Sequence, residues 1–198
     1  MFIKLYIILT FIYFLVAKVK HWPLKSILFV AALNSILTNV FIKYELPYYI
    51  LSNIYVILHA GLWFYIIKEY LSKKQALALG ITWTGLTLYY VITINILDKF
   101  YNRYFALTSI LYIILFFLLC IKRLKNEDLD FFNSNTFKLI AAPVIYFLGL
   151  SFMFGFDAKI FSEITIANIG IYELINFIVN VIYYTLLNYY IYKSVKHV

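Results

Sequence analysis

Glu173, Asn176, Asn180, Tyr184 and Asn188 follow one another at spacings of 3, 4, 4 and 4 residues within an otherwise apolar stretch. On a helix that spacing keeps all five on one face. The opposite side carries Ile175, Phe177, Ile178 and Ile182. The chemistry open to such a stripe is hydrogen bonding around a single carboxylate, which suits binding better than bond-making. The theme recurs twice more. Asn34, Ser35, Thr38 and Asn39 cluster in one apolar run, and Ser52, Asn53, Tyr55 and His59 in the next. A fourth run offers Thr84, Thr87 and Asn95 beside Gly80 and Gly85. Polar groups in hydrocarbon are costly unless they meet partners or water, so these positions carry the functional information.

Depth orders them. At about 1.5 Å of rise per residue, Glu173 and Asn39 lie roughly 5 Å from the outer end of their helices; Asn176, Asn53 and Asn34 lie about 10–12 Å in, and Asn180 and His59 about 16–20 Å in. If the three helices adjoin, the seven residues form polar layers descending from one face. That shape is an outward-opening cavity for a ligand or protein partner, and these seven are its candidate binding residues. The competing reading makes them interhelical hydrogen bonds, worth about 0.6–2 kcal/mol each. Glu173, near the interface, can stay ionised against water or Lys159. A lone histidine such as His59 serves packing more often than ligation.

Other chemistries lack their residues. A retinal Schiff base needs a lysine midway along the last span, which has none before Lys193. Bis-histidine haem needs paired histidines, and metal-dependent hydrolysis needs several His, Asp or Glu side chains; the span interiors offer only His59 and Glu173. The single cysteine, Cys120, makes neither a disulfide nor a thiolate metal site. We expect no catalytic residue, no metal and no cofactor, hence not an enzyme.

The elements that must position the polar residues are seven apolar runs, at about 2–17, 24–42, 46–67, 75–96, 104–121, 136–156 and 169–191. A hydrocarbon core about 30 Å thick takes roughly 20 helical residues. With 65% hydrophobic and 13% charged residues and a mean hydropathy of +0.88, the chain lies outside the soluble globular range. We therefore expect an all-α polytopic bundle, one membrane domain over residues 1–198, with the lipid bilayer as its first partner. The net charge of +8 is spread over loop ends, so no nucleic-acid partner is expected. Lysine outnumbers arginine fifteen to two, a bias associated with AT-rich bacterial genomes.

Lys18, Lys20, Lys25, Lys68, Lys73, Lys74, Lys122, Arg123, Lys125, Lys138, Lys193 and Lys196 fall on one side of the predicted bundle, twelve in all; Lys4, Lys43, Lys99, Arg103 and Lys159 make five on the other. The positive-inside rule then puts the N-terminus outside and the C-terminus in the cytoplasm. Lys122–Thr136 reads as a solvated cytoplasmic connection, and residues 154–170 as a surface helix with Phe156, Ile160 and Phe161 in lipid. Tyrosines near span ends, among them Tyr44, Tyr101, Tyr104, Tyr189 and Tyr192, read as headgroup anchors. Pro143 should kink the sixth run and free a carbonyl that a neighbour must satisfy.

The segments SNIYVILHAGLWFYII (52–67), APVIYFLGLSFMFGF (142–156) and ELINFIVNVIYYTLLNYYIYK (173–193) give the chain a layout that resembles a group of uncharacterised bacterial seven-helix inner-membrane proteins, often encoded beside sensor histidine kinases. Where that group tends to have an aromatic pair after the sixth-helix proline, this chain has Val144 and Ile145. The resemblance implies a seven-span bundle and a signalling role, and it supplies no catalytic residues. The expected function is a non-enzymatic signalling or accessory subunit of the inner membrane that binds a ligand or a membrane or cytoplasmic protein partner. A small transporter or channel using the last-span stripe, or a structural subunit of a larger complex, is the alternative.

Overall fold

The computed structural model describes residues 2–93, 100–155, 165–166 and 169–196, with the side chains of 154, 155 and 196 left aside. Over the described residues it is 87% helical, with eight α-helices. These are α1 (Phe2–Val16), α2 (Trp22–Lys43), α3 (Tyr49–Ile67), α4 (Lys73–Thr93), α5 (Asn102–Lys125), the short α6 (Asp130–Asn133), α7 (Asn135–Gly155) and α8 (Ile171–Lys196). A 3-10 turn over Lys68–Tyr70 continues α3. Two short strands, β1 (Thr165–Ile166) and β2 (Ile169–Gly170), pair antiparallel and lead into α8.

Six of the helices, α2, α3 with its 3-10 turn, α4, α5, α7 and α8, are long and apolar enough to cross a bilayer. The chain is a multi-pass membrane protein. At 15 residues, α1 reaches about 22 Å, short of a full hydrocarbon core.

The chain divides into two compact units, Met1–Tyr104 and Phe105–Val198. In the first, α2 packs against both α1 and α3, and α4 touches α3. Leu24, Ile27 and Leu28 of α2 and Trp63 and Ile67 of α3 are fully buried. Phe11 of α1 meets Phe29 of α2 at 5.9 Å between ring centroids. His21 caps α2, its Nδ1 accepting the Leu24 N–H at 3.2 Å, with Pro23 in the first turn where its missing N–H costs nothing. Burial pulls the His21 pKa below its usual value, opposed in part by the Glu69 carboxylate.

In the second unit α7 packs along α8, and α6 folds onto α7. Gly149 sets that approach, because a Cβ there would overlap the side chain of Val179. Tyr146 and Tyr183 rings meet at 4.7 Å. Pro143 withholds the N–H that would serve the Leu139 carbonyl, and in the same turn the Tyr112 hydroxyl donates to the Ile140 carbonyl at 3.0 Å.

The connection expected as a solvated loop over Lys122–Thr136 is instead largely helical. α5 continues to Lys125 and closes with Asp128 N–H donating to the Arg123 carbonyl at 3.1 Å and Glu127 N–H to Leu124 at 3.0 Å. Glu127 takes the left-handed conformation (φ 56°) at this C-terminal cap, a place glycine usually fills. Arg123 then pairs with Asp128 at 2.6 Å. The surface helix expected around Phe156, Ile160 and Phe161 lies outside the described residues.

Candidate functional site

The polar residues of the first unit have separate partners. Asn39 is exposed on the last full turn of α2, and its Oδ1 accepts from the Lys4 ammonium of α1. Asn34, half-buried one turn earlier, has its Oδ1 within 3.4 Å of the Thr38 hydroxyl, which donates to it along the same helix. Asn53 of α3 is fully buried. Its Oδ1 accepts the Tyr101 backbone N–H at 2.8 Å, at the entry to α5. His59, two turns further along α3, is 1% exposed. Its Nε2 accepts the Trp63 indole N–H at 3.3 Å, and its ring lies 5.1 Å from that of Tyr55.

The second unit repeats the division between ends and interior. Glu173 is exposed in the first turn of α8, where the helix dipole favours a carboxylate. Asn176 is half-buried and Asn180 buried. The Asn180 amide donates to both the carbonyl and the side-chain Oδ1 of Asn176, each at 2.8 Å. Tyr184, next on the stripe, is buried beside Tyr183.

Sequence reasoning missed an aromatic knot in the first unit. Tyr101 and Tyr104, taken as headgroup anchors, are 2% and 0% exposed. The Trp83 indole N–H donates to the Tyr104 hydroxyl at 3.1 Å. Thr87 lies 2.9 Å from that same hydroxyl and donates to the Trp83 carbonyl at 2.8 Å. Tyr90 packs edge-on against Tyr104 at 5.5 Å. Periodicity shows which face of a helix is polar, not that a terminal tyrosine turns inward to complete a neighbour's hydrogen bonds. Tyr44, Tyr189 and Tyr192 are exposed, as anchors must be. In the second unit the Asn135 amide donates to the Tyr190 carbonyl at 3.3 Å and to Ser194 Oγ at 3.1 Å, tying the start of α7 to the end of α8.

Among the described residues no three His, Cys, Asp or Glu side chains gather closely enough to hold a metal ion. In comparisons with known proteins, no family model, curated protein or solved structure matches the chain.

Proposed function

We propose that this chain is a non-enzymatic signalling or accessory subunit of a bacterial inner membrane, which binds a ligand or a protein partner through polar side chains at its outer end. The seven apolar runs are read as seven crossings, and the twelve-to-five division of basic residues supports an N-terminus outside and a C-terminus in the cytoplasm. α1 serves as the first crossing despite its length, by local thinning of the bilayer and by Lys4 reaching toward the headgroups.

One observation carries the binding role. Asn39 and Glu173, the shallowest of the seven polar residues, are exposed, whereas Asn53, His59 and Asn180, deeper along their helices, are buried and hydrogen-bonded within their own units. Side chains buried and bonded inside a unit hold it together; side chains exposed at a helix end, Glu173 and also Asn39 with its Oδ1 on Lys4, remain accessible to something outside the chain. A conducting path would need accessible polar groups at depth as well, so the arrangement favours recognition at the rim.

Substitution tests the division. Glu173→Gln keeps size and hydrogen bonding while removing the charge, so the thermal stability of the purified protein should stay within about 1 °C of wild type. Asn180→Leu deletes a buried group whose bonds to Asn176 lie within α8, at a cost of about 0.5–1.5 kcal/mol, and should lower the melting temperature by about 1–6 °C. Equal losses in the two variants would make Glu173 structural and end its assignment as a binding residue.

A further inference from the structure

A groove of about 150 Å³ runs between α3 and α4 in the first unit, lined by Gly61, Tyr65, Lys68, Gly80 and Trp83 among others. Two glycines shape it for different reasons. At Gly61 a Cβ would come within 2.8 Å of the Trp83 indole, so glycine lets that ring approach α3 closely. At Gly80 a Cβ would meet no atom within 4 Å, so the groove is open there. That volume is well below the roughly 300–1,000 Å³ of a small-molecule pocket. A single flexible chain laid along the groove needs no more.

The mouth has the opposite character. The Lys68 ammonium sits 3.7 Å from the centroid of the Tyr65 ring, and Tyr65 is itself held edge-on by Trp22 at 5.0 Å. Lys73 and Lys74 open α4 on the same turn, both exposed. The one acid of that turn, Glu69, lies close enough to His21 to act on its titration. Three lysines against one carboxylate leave the turn positive. Seven residues separate Lys68 from Gly61, so the apolar floor lies about 10 Å below the charged mouth. A charged head at the interface above a narrow apolar trough is complementary to one class of membrane molecule.

We propose that this groove binds an anionic glycerophospholipid of the leaflet facing the α3–α4 turn, its phosphate on Lys68, Lys73 and Lys74 and one acyl chain along Gly61, Gly80 and Trp83. The assignment is independent of the function proposed above. It uses residues of the first unit alone and holds in either membrane orientation. Lys68 supplies a charge already positioned by Tyr65, so little side-chain freedom is lost when the phosphate arrives.

The test is native mass spectrometry of the full-length protein in detergent, titrated with phosphatidylglycerol, with phosphatidylcholine of identical chains, and with glycerol phosphate. Phosphatidylglycerol should give a saturable adduct, and the other two should bind at least tenfold more weakly. Lys68→Gln should weaken the phosphatidylglycerol adduct about fivefold, the effect of one lysine near an anionic lipid surface. Gly80→Leu fills open space with a good helix former, so it should keep the melting temperature while abolishing the adduct. Equal binding of phosphatidylcholine would overturn the headgroup assignment. Binding of glycerol phosphate as tight as that of the lipid, or an undiminished adduct in Gly80→Leu, would overturn the acyl groove.

Discussion

Asn53 gives the most quantitative test of how the first unit is held together. It is fully buried, and its Oδ1 accepts the Tyr101 N–H at 2.8 Å at the entry to α5. Asn53→Leu keeps the number and branching of side-chain heavy atoms, so it opens no cavity, but its methyl groups are bulkier than the amide and it removes that acceptor. A buried donor deprived of its acceptor costs about 1–3 kcal/mol. At about 2–4 °C per kcal/mol for a chain of this length, the melting temperature should fall by about 2–12 °C. Asn53→Asp keeps an oxygen that can still accept the Tyr101 N–H; its loss should be smaller than that of the leucine variant. Ile54, the next residue, is 44% exposed, so Ile54→Ala is the control and should change little. Scanning fluorimetry of the detergent-purified protein reads all three. The reasoning is refuted if Asn53→Leu melts within 1 °C of wild type, or if the aspartate variant loses as much as the leucine.

Two further outcomes follow from particular contacts. Gly149→Ala forces a methyl into Val179, an overpacking cost of about 1–3 kcal/mol only partly offset by the better helix propensity of alanine; adding Val179→Ala should restore stability, and a double variant no more stable than Gly149→Ala would show that the α7–α8 approach is looser than described. In a Cys120→Ser background, a cysteine at Glu45 should react with a membrane-impermeant maleimide in intact cells and one at Lys125 should not, and the reverse pattern would invert the orientation.

The apolar runs made the helices legible, because length and hydropathy are local properties of the chain. Their ends were less so. The run from 104 to 121 belongs to a helix extending from Asn102 to Lys125, since a basic last turn stays helical where its carbonyls attract cations. The turn after it was invisible because Glu127, not glycine, occupies the left-handed cap. The polar stripe on the last span was readable from spacing, and Asn180 does bond to Asn176 four residues back. What spacing could not supply were partners distant in sequence. Lys4 meeting Asn39, Asn53 meeting Tyr101 and Trp83 meeting Tyr104 each join residues at least 21 positions apart, and only the packed fold brings them together.

The central claim is that exposed polar residues at one end of the helices meet something outside the chain while the deeper ones do not. Site-specific photo-crosslinking in intact membranes tests it most directly, with a photoreactive side chain placed in turn at Asn39, Glu173 and Asn180. The account predicts a discrete higher-mass adduct from positions 39 and 173, lost in the presence of excess unlabelled protein, and none from position 180. Adducts from position 180 alone, or from none of the three, would contradict it.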